Sequence, residues 1–408
     1  MKRVGIIGGG AAGMTAAIAA AGNGAQVTLF ERTAKLGKKI LSTGNGRCNL
    51  ANDYLAENCF HGRHPEFALQ VIRHFGLKET LDFFEHIGIH PIKNSEGYYY
   101  PRSMQAASVA KALIRELERL KVKVVDETGN LRVRPHGDSF QINCEKGSFA
   151  VDSLILACGG QAAPQTGSDG SGYALAAGLG LKVIPAVPAL VPLTSPWKGF
   201  KELSGIRTAG RITLYAGERK IASEAGELQL CDYGLSGIPV FQISGFAARL
   251  LTENKKTVLE AEINFMEEFS NGEVKQYLYH QIRQRGAVRC GDFLTGLLPE
   301  KLGLQLFKRI GVSYDLPAGR LSDRQIGELI REMTAFRVPI TGNLGFDRAQ
   351  VCSGGVDTAQ IDPTTMEVKR IPGLFVAGEL LDIDGICGGY NLQFAWSSGY
   401  LAGRGAAQ

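Results

Sequence analysis

The first thirty residues constrain this chain more than any other segment. Lys2-Arg3-Val4-Gly5-Ile6-Ile7 is a short apolar run of the kind that forms a buried parallel strand. It leads into Gly8-Gly9-Gly10-Ala11-Ala12-Gly13 and then into an Ala-rich helix former, residues 14–21, which Gly22-Asn23-Gly24 ends. A second strand over residues 25–30 stops at Glu31, 18 positions past Gly13. The pattern is G-x-G-x-x-G between strand and helix, then a strand, then an acid. In that order Gly8 permits the tight turn, Gly10 lets a pyrophosphate reach the backbone, and Gly13 lets helix and strand pack closely. The helix start at Ala11 and Ala12 offers free N–H groups and the positive end of the helix dipole to phosphate. Glu31 then binds the ribose hydroxyls of an AMP half, and an acid there disfavours a 2′-phosphate. Arg32 and Lys38 join these as candidate dinucleotide ligands.

The same motif serves FAD and NAD, so distant segments decide between them. Residues 371–379 form an apolar strand ending in Gly378-Glu379. This resembles the second flavin fingerprint of glutathione-reductase-like flavoproteins, in which an acid binds the ribityl chain. Glu379 stands where Asp is commoner, and Asp382 or Asp384 could share that contact. Residues 384–399 read as a glycine turn feeding a final helix over 391–406. A helix start near Gly389, Asn391 and Leu392, aimed at the flavin N1/C2 carbonyl, would stabilise the charge of reduced flavin; the plainer alternative is a helix that only packs on the sheet. Residues 151–160 are another buried strand ending in Cys158-Gly159-Gly160, which resembles the "ATGG" segment of the same flavoproteins. Three strand-to-glycine segments suit FAD better than NAD on one βαβ unit.

A more specific segment is Gly37-Lys38-Lys39-Ile40-Leu41-Ser42-Thr43-Gly44-Asn45-Gly46-Arg47-Cys48-Asn49. Together with residues 97–101, 351–356 and 388–393, it resembles the BaiN-like bacterial flavoprotein family, which includes aminoacetone oxidases and bile-acid dienone reductases. The similarity covers nearly the whole chain. It implies an α/β fold: an FAD/NAD(P)-binding, Rossmann-like domain of glutathione-reductase type, with an inserted domain of β-barrel and helical parts and a substrate pocket where they meet the isoalloxazine ring. It also implies that Gly44, Asn45, Gly46, Cys48 and Asn49 lie along the cofactor and that the backbone of Val125 meets the adenine. On its own residues, the loop's small side chains and N–H groups suit a phosphate or a flavin edge; an ordinary surface loop is the alternative.

The domains expected are residues 1–192 and 342–408 for FAD and 193–341 for a substrate-covering insertion. Apolar spacing predicts helices over 64–75, 77–87 and 104–120, a hairpin over 89–100, and strands within 122–126 and 131–144. Proline at 185, 188, 192 and 196 punctuates the approach to the insertion. Its first half reads as strands (211–215, 226–230), and its second half as helices (274–285, 302–310, 323–334).

Composition narrows the class. Glycine supplies 52 of 408 residues, against a usual share of about 7%, and it clusters where backbone must turn or approach a ligand. The net charge of +5 is mild. The eight cysteines contain no CxxC and the seven histidines no HExxH, so reduced thiols and no metal are expected. Neither a signal peptide nor a run of about 18 apolar residues is evident, and the cytoplasm is the expected location.

Flavin would carry the electrons while protein supplies placement, charge tuning and water exclusion. With one nucleotide fingerprint, NADH or NADPH would have to dock transiently. Tyr390 is a candidate proton donor or a packing residue. Arg47 could hold an anion, Cys48 and Cys387 read as small hydrophobes, and Tyr98-Tyr99-Tyr100 reads as hairpin packing. Three functions compete: an NAD(P)H-linked reductase of activated C=C bonds in small molecules such as 3-oxo steroids or bile acids, an oxidase passing electrons from a small amine to O2, and an RNA-associated flavoprotein. The reductase is preferred. Basic residues of the insertion keep the RNA reading in view, without an accompanying RNA-binding aromatic motif.

Overall fold

The structure is a computed structural model that describes residues 1–129 and 131–408. The chain divides into two compact units, Met1–Val187 with Gln350–Gln408, and Pro188–Ala349. Each has its own apolar core.

The first unit is built on a parallel sheet. Its strands are β1 (Arg3–Ile7), β2 (Gln26–Phe30), β3 (Lys123–Val125), β4 (Ser153–Leu156) and β5 (Leu374–Val376), in the order β5-β4-β1-β2-β3. Register is direct: Val4 lies opposite both Ser153 and Val27, and Leu156 opposite Val376. Strands buried on both faces read as continuous apolar runs rather than alternating ones, which is why VGII and SLIL are legible as central strands.

Helix α1 (Ala11–Gly22) is buried along almost its whole length because it lies between the sheet and the last helix, α3 (Tyr390–Ala407). The crossing of α1 and α3 depends on small residues. A Cβ on Gly399 would run into the Ala12 backbone, and one on Gly403 into the Ala16 carbonyl. Helix α2 (Ala106–Arg119) turns its apolar stripe, including Val109, Leu113 and Leu117, to the same core. An antiparallel meander (Arg132–His136, Ser139–Cys144, Gly147–Val151) closes on Gly5, where a Cβ would stand 2.7 Å from Ile142 Cδ1.

The second unit carries a seven-stranded antiparallel sheet. Its two edge strands, Phe336–Ile340 and Gly342–Asn343, are separated in sequence only by Thr341, so the sheet curls back on itself as a barrel does. Helices Asn271–Arg285, Glu300–Arg309 and Asp323–Thr334 occupy its second half. The first half departs from the expectation of strands alone. Ile238–Glu253 is a helix, opened by Gly237 at φ 104° and Pro239 in its first turn. Its β-branched and aromatic start disguises it in the sequence; proline at the beginning of a helix costs nothing because that N–H has no intrahelical partner. Among the described residues no helix is long and apolar enough to cross a membrane.

Candidate dinucleotide site

The glycines of the first loop fall at the carboxyl end of β1, where open α/β sheets bind ligands. Gly8 has φ 110°, and a Cβ there would strike the Ala157 carbonyl at the end of β4. A Cβ on Gly13 would overlap the Gly8 carbonyl oxygen. Gly10 differs: its φ is −84° and nothing lies within 4 Å of where its Cβ would be. The first intrahelical bond runs from Met14 N–H to Gly10 O, 2.9 Å, and no side chain caps the helix. The N–H groups of Ala11, Ala12 and Gly13 therefore have no partner within the helix and no capping side chain, and no acid stands in the first turn.

Glu31 follows β2. Its two carboxylate oxygens accept the Gly9 and Thr33 N–H groups, each at 2.8 Å, which fixes the acid beside the glycine loop. Its own N–H donates to the carbonyl of buried Val125, 2.9 Å, at the end of β3. Arg32 is exposed and ion-paired with Asp169. Gly37 N–H donates to Gly9 O, 2.9 Å, and brings half-buried Lys38 and Lys39 to the same loop.

Two further glycine segments meet α1 and β1. The Cys158 thiol donates to Ile7 O, 3.5 Å, and Gly159 is left-handed at φ 72°. Gly378, also at φ 72°, has room for no side chain because Ala12 Cβ would lie 2.8 Å from its Cβ. Ser398 of α3 accepts the Gly378 N–H, 3.0 Å. Glu379 is held within the protein: Lys39 Nζ pairs with one oxygen at 2.6 Å, and Cys352 N–H donates to the other at 3.0 Å. This pair spans 340 positions of sequence. Asp382 is buried, with one carboxylate oxygen accepting the Arg63 N–H at 3.0 Å, and Asp384 is buried as well.

The 44–49 loop is unusual in its backbone. Gly44, Asn45 and Gly46 are consecutively left-handed (φ 55°, 54° and 81°), and buried Cys48 follows at φ 61°. Non-glycine residues in that region cost about 1–2 kcal/mol each and persist where surroundings over-determine them. The surroundings are the turn before α3: a Cβ on Gly389, φ 98°, would lie 2.8 Å from Asn49 Oδ1. That oxygen is buried and has no hydrogen-bond partner. Asn391 closes the turn, exchanging hydrogen bonds with the backbone of Gly385 at 2.8 and 2.7 Å. Leu392 is half-buried in the first turn of α3. Tyr390 is only 4% exposed; its ring stands edge-on to Phe60 at 5.9 Å, so its observed part is in the core.

Four cysteines border these segments, and burial holds each as a neutral thiol. Cys48, Cys158, Cys352 and Cys387 are all pushed up to about 12. A thiolate nucleophile at neutral pH is not part of this site.

An uncapped helix start, three strand-end glycine segments and a fixed acid meet at the carboxyl end of the sheet, as they do in a Rossmann fold. Comparison with known proteins agrees. The model of the HI0933-like protein Rossmann domain matches residues 2–405. The chain belongs to the HI0933-like family. Its fold is accordingly of the Rossmann type. It is 44% identical over the full length of both chains to the 3-dehydro-bile acid delta(4,6)-reductase of Clostridium scindens. It is 30% identical to the ribosomal RNA dihydrouridine synthase of Escherichia coli, covering 98% of this chain and 96% of that one. Among solved structures, 3-ketosteroid delta1-dehydrogenase from Sterolibacterium denitrificans shares the fold over 100% of both chains, with TM-score 0.50 and 12% identity.

Of the sequence-level candidates, Gly8, Gly10, Ala11, Ala12, Gly13, Glu31, Val125, Cys158, Gly159 and Gly378 gather at the carboxyl edge of the sheet. Gly44, Asn49, Gly389 and Asn391 gather where the left-handed loop meets α3. Lys39 was outside the candidate set, because only the folded chain brings it to Glu379.

Proposed function

We propose that this chain is an FAD-dependent reductase of carbon–carbon double bonds conjugated to a carbonyl, acting on a small apolar substrate of the 3-oxo bile-acid or steroid type and using NADH or NADPH as a transient donor. The observation that carries the reaction is the 44% identity, end to end, with a 3-dehydro-bile acid delta(4,6)-reductase.

The cradle suits FAD. Nothing crowds the Cβ position of Gly10 at the start of α1, Glu31 is fixed beside that loop, and the unpartnered Asn49 Oδ1 lies at the far glycine turn. In this reading Ala11, Ala12 and Gly13 hold the pyrophosphate, Glu31 the ribose, and the Val125 backbone the adenine. The N–H groups of Asn391 and Leu392 favour negative charge at the pyrimidine end of the flavin. Bound flavin supplies hydride transfer. Glu379 is neutralised by Lys39, so it adds little net charge near the ring system. Tyr390 is assigned packing, since burial and Phe60 occupy it.

Anaerobic reduction of the purified holoprotein by NADH or by NADPH, followed by reoxidation with a panel of enones and with O2, tests the reading. The expected result is bleaching by a nicotinamide and fast reoxidation by a 3-oxo-diene. Reduction by a small amine such as aminoacetone, with peroxide formed and no nicotinamide required, would establish the oxidase instead.

A second reading is favoured by the 30% identity with ribosomal RNA dihydrouridine synthases from two organisms. Forming dihydrouridine also saturates a double bond conjugated to a carbonyl, so one flavin site would serve either substrate. Retention of RNA that falls steeply with salt would support it.

A further inference from the structure

Two left-handed glycines, Gly44 and Gly388, lie in the two segments assigned above to the flavin, and one β-strand touches both. In Tyr98–Pro101 the tyrosines at 98 and 100 are two residues apart, so their rings share a face, about 6–7 Å apart along the strand. Tyr99 takes the opposite face and packs on the core. Tyr98 Cε1 lies 3.3 Å from where a Cβ on Gly388 would be, and Tyr100 Cε1 3.5 Å from the corresponding point on Gly44. Gly388 is also pinned through its carbonyl by Asn52 Nδ2 at 3.1 Å, and Asn52 is the cross-strand neighbour of Tyr98.

Both rings are half-buried, yet neither phenol oxygen has a hydrogen-bond partner among the described residues. Neither oxygen is one of the buried unpartnered polar atoms, so both hydroxyls reach the surface of the protein, where a tyrosine's polar tip can meet a ligand. Burial raises both phenols, and although Arg47 acts in the opposite direction on Tyr100, both remain donors at neutral pH.

We infer that Tyr98 and Tyr100 form the recognition wall for the substrate: the rings face a flat, apolar ring system, and the Tyr98 hydroxyl donates a hydrogen bond to the carbonyl oxygen conjugated with the reacting double bond. This rests on the reading of the glycine segments as flavin-facing. A bound flavin would supply hydride to the β carbon, and the Tyr98 hydroxyl would then meet the double-bond electron pair as it shifts onto that oxygen to give an enolate. The α carbon then takes a proton from water, so C=C becomes CH–CH by gain of one hydride and one proton. A donor on the oxygen acts where charge develops.

The test titrates oxidised holoprotein with testosterone and with its 3-deoxy analogue, reading the perturbation of the flavin absorbance. Tyr98→Phe keeps the ring, so FAD content at the wild-type level shows that the fold is intact. It is expected to weaken testosterone about 3–10-fold, the worth of one net hydrogen bond, and to leave the 3-deoxy steroid within about twofold. Tyr100→Ala removes a ring and is expected to weaken both steroids. If Tyr98→Phe weakens both ligands alike, or neither, while the wild type binds them, the phenol assignment alone falls. If the wild type responds to neither steroid, or responds more strongly to a uridine-containing RNA fragment, the steroid class falls and the wall with it.

Discussion

A glycine can be demanded by the fold, by a ligand, or by both, and the first loop separates these cases residue by residue. Gly8 and Gly13 are demanded by the fold, since backbone oxygens occupy the places their Cβ atoms would take. Gly8→Ala and Gly13→Ala are expected to destabilise the first unit by about 1–3 kcal/mol, as overpacking does, seen as a lower urea midpoint of the FAD-free protein. Gly10 is not demanded by the fold. Gly10→Ala is expected to leave that midpoint unchanged and to weaken FAD binding at least tenfold, about 1.4 kcal/mol, measured by fluorescence on reconstitution. Equal effects of Gly10→Ala on both measurements would contradict this division. The fold's demand for Gly8 and Gly13 was legible in the sequence because G-x-G-x-x-G places a tight turn and a close helix–strand approach there. The engagement of Glu379 by Lys39 was not, since local pattern says nothing about partners 340 residues apart. Nor was the exposure of the phenols at 98 and 100, because YYYP reads equally well as packing.

At the scale of elements, the meeting of α1 and α3 joins the two ends of the chain. Its closeness comes from Gly399 and Gly403 lying on the Ala12 and Ala16 backbone. Gly403→Ala is expected to push the helices apart and cost about 1–3 kcal/mol. The thermal midpoint should fall by about 2–4 °C per kcal/mol for a unit of this size. An unchanged midpoint would show that the crossing tolerates a methyl group. Long periodic elements were legible: residues 104–120 gave α2 at Ala106–Arg119, and 323–334 gave Asp323–Thr334. Helix Ile238–Glu253 was not, because Ile238 and Phe246 stand on its exposed side and blur the stripe of Val240, Ile243 and Ala247 that would reveal a 3.6-residue period.

At the scale of the molecule, two cores and a set of buried or half-buried thiols set how stability responds to pH. Cys48, Cys158, Cys352 and Cys387 are raised to about 12 in the fold, whereas an unfolded thiol ionises near about 8.5. A raised folded value contributes stability that is complete below the unfolded value and is lost as pH rises toward the folded one. The urea midpoint is therefore expected to be lower at pH 10 than at pH 7.5, with a smaller drop in a Cys48→Ala variant. An identical drop in that variant would remove Cys48 from the account.

The central claim is that glycine-lined backbone from both ends of the chain holds a single flavin dinucleotide. Heat release of cofactor from the purified protein, with quantification against chain, measures this most directly. One FAD per chain is the expected result. Protein that is colourless as purified, and that takes up no FAD on reconstitution, would contradict it.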